Sequence, residues 1–154
     1  MLETFQKSYI IAIFAVIFSF SLLAYFSWKT LITSNLFQKA VTLYQQKDYG
    51  AAEAAFRQVI SLNSTNDVVH LLFGDTLMQQ GKVEEATQQF QEVIRRAPKK
   101  IDAYLRLSNA LMQQEKQAEA VTILQQARDL FQAQRQPEKA HKIDQLLEQF
   151  DRQR

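Results

Sequence analysis

The sequence contains no cysteine and few glycines and prolines. Among its 154 residues there are three Gly, two Pro and two His. Without Cys the chain has no disulfide, thiol nucleophile, Cys-ligated metal or Cys acylation, although this absence fits either side of a membrane. Gly occurs only singly, at positions 50, 74 and 81, so the sequence has no Gly-rich loop that would hold a phosphate group.

A block of charge of one sign is also missing. The chain has 18 Lys and Arg against 16 Asp and Glu, and the two signs are mixed along it. Nucleic-acid-binding proteins usually carry a basic patch or stripe that neutralises phosphates. We therefore expect no nucleic acid partner.

Residues suited to catalysis or metal binding are scattered. His70 and His141 have no Asp or Glu at ligand spacing, and His70 is interpreted as a helix-packing residue. Glu84, Glu85 and Glu92 are interpreted as the solvated face of a helix rather than as an acid–base pair. The sequence therefore predicts no catalytic residues, no metal site and no cofactor, and we do not expect an enzyme.

One long apolar stretch lies near the N-terminus. Tyr9–Trp28 contains no charged residue, and as a helix it reaches about 30 Å, the thickness of a bilayer's hydrocarbon core. Lys7 and Lys29 flank it, and aromatic residues lie near both ends, where the membrane interface favours them. The stretch is longer than the ~7–15 apolar residues of a signal peptide and lacks an A-x-A cleavage site. We therefore predict an uncleaved single-pass anchor rather than a cleaved signal peptide.

The predicted anchor divides the N-terminal part of the chain into three segments. Residues 1–8 form a short tail, residues 9–28 the transmembrane helix, and residues 29–35 a short connector. So short a connector holds the following domain close to the membrane. It is either a continuation of the helix or a frayed segment with Ser34 or Asn35 as an N-cap. The distribution of Lys leans slightly toward a cytoplasmic or stromal domain and leaves the orientation open.

The rest of the chain repeats every 34 residues. The copies are Thr33–Asn66, Asp67–Lys100 and Ile101–Gln134, and they align without gaps. The recurring positions hold small residues (Ala40, Gly74 and Ser108; Ala52, Ala86 and Ala120) and apolar residues (Leu43, Leu77 and Leu111; Phe56, Phe90 and Leu124; Val59, Val93 and Ala127). Agreement of several independent positions at one period indicates a solenoid of stacked helical units.

The second copy resembles a tetratricopeptide repeat, a helix–turn–helix unit. The family's spacing is matched by Gly74, Leu77, Gly81, Ala86, Phe90 and Pro98. The resemblance implies an all-α fold, a tetratricopeptide-type α-solenoid of three repeats behind a single N-terminal transmembrane helix. Pro137–Arg154 has apolar residues at helical spacing. We predict that it is a C-terminal capping helix over the last repeat rather than a helix that binds a partner.

The resemblance also implies where a partner binds, namely in a concave groove lined by the first helix of each repeat. By that resemblance the protein-binding groove residues are Phe37, Val41, Tyr44, Leu71, Asp75, Met78, Leu105, Asn109 and Met112. Met and aromatic side chains suit adaptable contact with a helix or an extended peptide, and Asp75 and Asn109 form a polar centre. The alternative is that some of these residues pack inside the domain.

Some members of the family clamp the C-terminal carboxylate of heat-shock chaperones with a cluster of Lys, Asn and Arg. At the matching positions this chain has Phe37, Val41, Leu72 and Asp102, and only Arg106 agrees with the pattern. We therefore expect no clamp of this kind.

Together these features predict a membrane-anchored adaptor or scaffold. It would bind a protein or peptide partner in its groove near the bilayer, and aid assembly or folding of a membrane or exported protein complex. The alternative is a structural protein that self-associates as a homo-oligomer, with Ala15 and Ser19 as a small-residue contact between spans. Analogy of fold does not identify the partner.

Overall fold

The computed structural model describes residues 2–62 and 65–152, and their side chains from residue 13 onward except at residue 151. Met1, residues 63–64 of the first repeat and residues 153–154 of the capping segment lie outside the described residues. The side chains of Lys7, which is predicted to flank the anchor, and of Tyr9, the first residue of the anchor, also lie outside the described part.

The described residues form seven α-helices and no strand. The helices are α1 (Leu2–Gln45), α2 (Tyr49–Ser61), α3 (Asp67–Gln79), α4 (Val83–Arg96), α5 (Ile101–Gln113), α6 (Gln117–Ala133) and α7 (Pro137–Arg152). Short turns join α1 to α2, α3 to α4 and α5 to α6, so each pair forms an antiparallel hairpin. Neighbouring hairpins stack through α2 on α3 and α4 on α5. The predicted all-α solenoid is confirmed.

Helix α1 contains both the apolar stretch and the first helix of the first repeat. Residues 29–35 are helical, which is one of the two arrangements that the sequence left open. No Gly or Pro interrupts the helix. The hydroxyls of Thr30 and Thr33 donate to the carbonyls of Phe26 and Lys29, one turn back, rather than to a helix start. The frayed alternative with an N-cap at Ser34 or Asn35 therefore does not apply.

The small residues of the repeat lie where the two helices of a hairpin touch. Ala40, Gly74 and Ser108 are buried, and so are the three recurring Ala residues on the second helices. At Gly74 a Cβ atom would lie 2.3 Å from a ring carbon of Phe90. This contact leaves no room for a side chain, because real Cβ atoms do not approach a ring so closely. The recurring small residues thus set the distance between paired helices.

Each first helix ends in the same turn. Lys47, Gly81 and Glu115 have positive φ of 62°, 73° and 60°, and the next residue donates its N–H to a carbonyl five residues back. This pattern is the Schellman motif, in which the left-handed residue satisfies the last carbonyls of a helix. Only Gly81 adopts this conformation without the steric cost of a Cβ atom. The turns therefore keep their shape even where the favoured Gly is missing.

Helix α7 covers the end of the stack. Ala140 and Ile143 are buried against Leu124, Ala127 and Phe131 of α6. The Lys139 ammonium lies 5.2 Å from the centre of the Phe131 ring, within the range of a cation–π contact. A second core thus closes the solenoid at its C-terminal end.

The N-terminal part of α1 projects away from the solenoid. Its apolar side chains from Ile13 to Ile32 are exposed, among them Phe14 (68% exposed) and Trp28 (66% exposed). In length and composition α1 is able to cross a membrane, and none of its apolar window is buried. An exposed apolar surface of this extent indicates a contact with lipid or with another protein.

Candidate binding groove

The first helices of the three repeats form one wall. Helix α3 contacts α1 on one side and α5 on the other. A cleft of about 300 Å³ opens on this wall. Its lining is Tyr44 from α1, Asp75, Met78 and Gln79 from α3, and Arg106, Asn109 and Gln113 from α5, with Phe90 of α4 beneath. The cleft therefore draws residues from all three repeats, as expected for a shared binding surface.

The structure brings together four of the nine residues expected in the groove. Tyr44, Asp75, Met78 and Asn109 line the cleft. Leu71 is only 6% exposed and belongs to the hydrophobic core. The remaining four are partly buried: Phe37, Val41 and Met112 pack against the core of the first hairpins, and Leu105 packs against the C-terminal core.

Three polar residues of the cleft were not expected there from the sequence. Gln79 and Gln113 each follow a predicted groove residue by four positions, so they lie one turn further along the same face. Gln79 and Gln113 also recur at the period of the repeat, which is a sequence signal for a shared position on the first helices. Arg106 agrees with the carboxylate-clamp pattern, and nothing else in the sequence indicates that it lies in this cleft. These side chains make the cleft more polar than the sequence suggested.

An ion pair neutralises the charge of the cleft. Arg106 Nε lies 2.9 Å from Oδ1 and 3.0 Å from Oδ2 of Asp75, and both side chains are partly buried. Burial raises the pKa of the Tyr44 hydroxyl above its usual value, and the Asp75 carboxylate raises it further. Tyr44 thus stays protonated at neutral pH and is able both to donate and to accept a hydrogen bond. The cleft offers amides, a phenol and a thioether, which suit a peptide and provide no nucleophile.

A separate cluster of polar side chains joins the first repeat to the second through hydrogen bonds. The Glu53 carboxylate accepts hydrogen bonds from Lys82 Nζ (2.7 Å), Gln80 Nε2 (2.8 Å) and Arg57 Nε (2.9 Å). These contacts, led by that with Lys82, lower the pKa of Glu53 to about 2. At the next interface Gln114 Nε2 donates to Thr87 Oγ1 at 2.9 Å. The recurring Gln at this position therefore joins successive repeats.

Histidine does not contribute to the cleft. His70 is buried in α3 with Nδ1 2.9 Å from Gln89 Oε1, and His141 lies far away on α7 beside Gln145. Among the described residues, no group of three or more His, Asp or Glu side chains is arranged to hold a metal ion. The surroundings of His70 are those of a packing residue with one polar partner.

The stacked hairpins define a helical-repeat protein with a cleft shared by its three repeats. The sequence profile of the tetratricopeptide repeat matches residues 43–99 and 78–142. Because these matches cover more than half of the chain, the protein belongs to the tetratricopeptide repeat family. No curated protein is significantly similar to the chain in sequence.

Solved structures of the same fold come from bacteria and yeast. The type III secretion translocator chaperone SycD of Yersinia enterocolitica is similar with a TM-score of 0.66 and 20% identity, over 79% of this chain and 92% of SycD. PcrH of Pseudomonas aeruginosa has a TM-score of 0.66 and 18% identity, over 77% and 91%. The TPR2B domain of yeast Sti1 in its pHsp70 complex has a TM-score of 0.67 and 20% identity, over 79% and 98%. At this identity the similarity concerns the fold alone.

Proposed function

We propose that this protein is a membrane-anchored tetratricopeptide adaptor that binds a protein or peptide partner in the cleft on α1, α3 and α5. In this proposal it aids the assembly or folding of a membrane or exported protein complex and has no enzymatic activity. The observation that carries the proposal is a polar cleft shared by three repeats on a domain whose first helix begins with an exposed apolar stretch.

Binding of a polypeptide is supported by the chemistry of the cleft and by structural relatives. PcrH has been solved with the chaperone binding regions of PopB and PopD, and two domains of yeast Sti1 with pHsp70 and pHSP90. The cleft of this chain offers paired donors and acceptors beside Met78, which suit an extended segment. Arg106 is already paired with Asp75, so the cleft does not favour a free carboxylate.

Membrane anchoring is supported by the N-terminal part of α1. Its exposed apolar side chains would remain in contact with water without a bilayer, at a cost of about 25 cal/mol for each Å² of apolar surface. The uncharged stretch Tyr9–Trp28 is about as long as the bilayer core is thick. We therefore propose a single span with the repeats beside the membrane surface, on a side that the Lys distribution leaves open.

Photo-crosslinking in native membranes tests the binding site. A photo-reactive residue at Met78 is expected to capture a defined partner, whereas the same residue at the exposed Gln88 of α4 is expected not to. Asn109→Arg and Gln113→Arg should each reduce the Met78 crosslink roughly tenfold, which corresponds to about 1.4 kcal/mol of binding free energy. The matched control is Gln88→Arg, and Leu71 is unsuitable because a charge there would disrupt the core.

The thermal midpoint of every variant, measured by circular dichroism, must match that of the unmodified protein. Capture that persists in both cleft variants would overturn the binding site.

Extraction from membranes tests the anchor independently. Two substitutions in the middle of the stretch, Phe18→Arg and Leu22→Arg, cost about 2.5–3.5 kcal/mol each in a bilayer. The double variant is expected to become soluble in alkaline carbonate, whereas the unmodified protein and the control Gln38→Arg should stay in the membrane pellet. Solubility of the unmodified protein under these conditions would refute the anchor, and protease protection in intact cells would establish the side.

A further inference from the structure

Helix α1 determines which end of the solenoid faces the bilayer. A cavity of about 450 Å³ lies between α1 at Phe26–Phe37 and the turn that joins α2 to α3, with Lys29 and Thr65 among its lining residues. Leu62, Thr65 and Asn66, the described residues of this turn, therefore lie beside α1 close to Trp28, the last residue of the proposed span. The inference below rests on that span as part of the proposed function.

The other turns between repeats lie on the same end. Arg96, at the end of α4, donates to the carbonyl of Thr65, and its guanidinium lies 3.2 Å from the Asp67 carboxylate. Lys139, near the start of α7, donates to the carbonyl of Lys99 at 3.3 Å. These contacts join the turns after α2, α4 and α6 into one continuous surface.

This surface carries an excess of positive charge, and we call it the basic end. It consists of Arg95, Arg96, Lys99, Lys100, Arg135 and Lys139. The acidic residues nearby are Asp67, Glu92, Asp102 and Glu138, of which Asp67 is held by Arg96 and Lys100, and Glu92 by Arg95. The side chain of Arg95 remains 71% exposed, and Lys99 and Arg135 are exposed as well.

The opposite end of the solenoid does not share this excess. Its turns hold Lys47, Lys82 and Lys116 together with Asp48, Glu84, Glu115 and Glu119. Gln80 of one such turn reaches Tyr49 at the start of α2, so these turns also lie together. The whole chain is therefore nearly balanced in charge, but the two ends of the solenoid differ in net charge.

We propose that the basic end docks on the anionic phosphate headgroups of the same bilayer that α1 spans. Exposed Lys and Arg are attracted to an anionic membrane surface within about one Debye length, ~10 Å at 0.1 M salt. Because α1 is a continuous helix, it keeps these turns near the headgroups, so docking needs little further loss of freedom. Arg additionally pairs with phosphate through two parallel hydrogen bonds.

The absence of native Cys allows a direct test with single labels on the full-length protein. Pro98→Cys places a fluorophore on the basic end, and Gln46→Cys places one on the opposite end. After reconstitution into vesicles of phosphatidylcholine with or without phosphatidylglycerol, a maleimide that does not cross membranes labels outward-facing molecules. Quenching by a headgroup-labelled lipid then reports how close each end lies to the bilayer.

The label at position 98 should be quenched more than that at position 46, because α1 holds its end near the bilayer, and phosphatidylglycerol should increase this difference. About 1 M salt, where the Debye length is ~3 Å, should abolish the increase that phosphatidylglycerol causes. Arg95→Gln and Lys99→Gln should each lower the ratio of docked to undocked protein about fivefold. The matched control at the opposite end, Lys47→Gln with Lys116→Gln, should leave it unchanged.

Docking would be overturned if quenching did not depend on phosphatidylglycerol and salt. It would also be overturned if the control pair lowered the docked fraction as much as Arg95→Gln or Lys99→Gln. Insertion is read separately as resistance to carbonate, so protein that inserts without docking refutes this inference alone. Protein that fails to insert refutes the proposed span.

Discussion

Gly74 is a residue whose identity is set by its neighbour. A Cβ atom at this position would lie 2.3 Å from the Phe90 ring, so Gly74→Ala has to displace that ring or move α3 away from α4. We expect it to lower the free energy of unfolding by about 1–3 kcal/mol, although Ala is the better helix former. The measurement is the urea midpoint of the full-length protein in detergent, followed by circular dichroism.

The matched control for this substitution is Gly50→Ala. Gly50 is exposed in α2, and the nearest atom to an added Cβ is Asp48 Oδ1 at 4.0 Å. The change there should stabilise the protein slightly, by about 0.5 kcal/mol. Equal midpoints for both variants would show that the close contact at Gly74 does not constrain the hairpin.

Glu115 occupies a left-handed position that Gly occupies in the preceding repeat. Its φ is 60°, and a side chain in this region costs about 1 kcal/mol relative to Gly. Glu115→Gly should therefore raise the urea midpoint, and Gly81→Ala, where φ is 73° and no atom lies within 4 Å, should lower it. A decrease for both variants would mean that the two turns differ in conformation.

Glu53 makes the stability of the first interface depend on pH. Its pKa is lowered from 4.5 to about 2 in the folded protein, chiefly by the hydrogen bond from Lys82. The stabilisation is fully present above about pH 5 and disappears as the pH falls through 4.5 toward 2, because the unfolded chain takes up the proton first. We expect a loss of about 2 kcal/mol over this range, allowing for the exposure of the cationic partners.

The pH dependence is measured from urea midpoints between neutral and acidic pH. Glu53→Gln should flatten the part of the curve that belongs to this carboxylate, and Glu84→Gln, on an exposed residue of α4, should not. An unchanged curve in Glu53→Gln would assign the acid sensitivity to other groups.

At the scale of elements, the sequence predicted much of the helix pattern. The second helices begin at Tyr49, Val83 and Gln117, which follow one another at the 34-residue period of the repeat. Small residues at a fixed period locate helix–helix contacts, because such contacts admit nothing larger. Periodicity also indicated the inner face of each first helix, and Tyr44, Asp75, Met78 and Asn109 follow it.

The sequence did not predict how far neighbouring side chains cover that face. Leu71 shares the period of the groove residues but is enclosed by the core. The pairing of Asp75 with Arg106 joins residues 31 positions apart, which no local pattern indicates. The helical state of residues 29–35 also stayed open, since Ser and Thr serve both as caps and inside helices.

Helix α7 is expected to be required for a stable solenoid. It buries Ile143 and Ala140 against Phe131, so ending the chain after Gln136 would expose that core to water. We predict that the free energy of unfolding falls by about 2–5 kcal/mol, which lowers the urea midpoint, and that binding of a hydrophobic dye increases. Removal of residues 151–154 is the control, and an unchanged midpoint after removal of α7 would contradict its role as a cap.

At the scale of the whole molecule, the solenoid has two unlike ends, and the binding cleft lies near the C-terminal ends of α1, α3 and α5. Helix α1 enters at the end where Arg95 and Lys99 are exposed, while the turns with Lys47 and Glu115 lie at the other.

The unbroken helix from Trp28 to Tyr44 has a consequence for any partner that is itself embedded in the bilayer. Along α1, Tyr44 lies about 24 Å beyond Trp28 at ~1.5 Å per residue. If Trp28 marks the membrane surface, the length of α1 sets the distance between that surface and the cleft. A partner would need about seven extended residues, at ~3.4 Å each, between its own span and the bound segment. The number of residues between the partner's span and its bound segment would thus restrict which partners reach the cleft, independently of side-chain recognition.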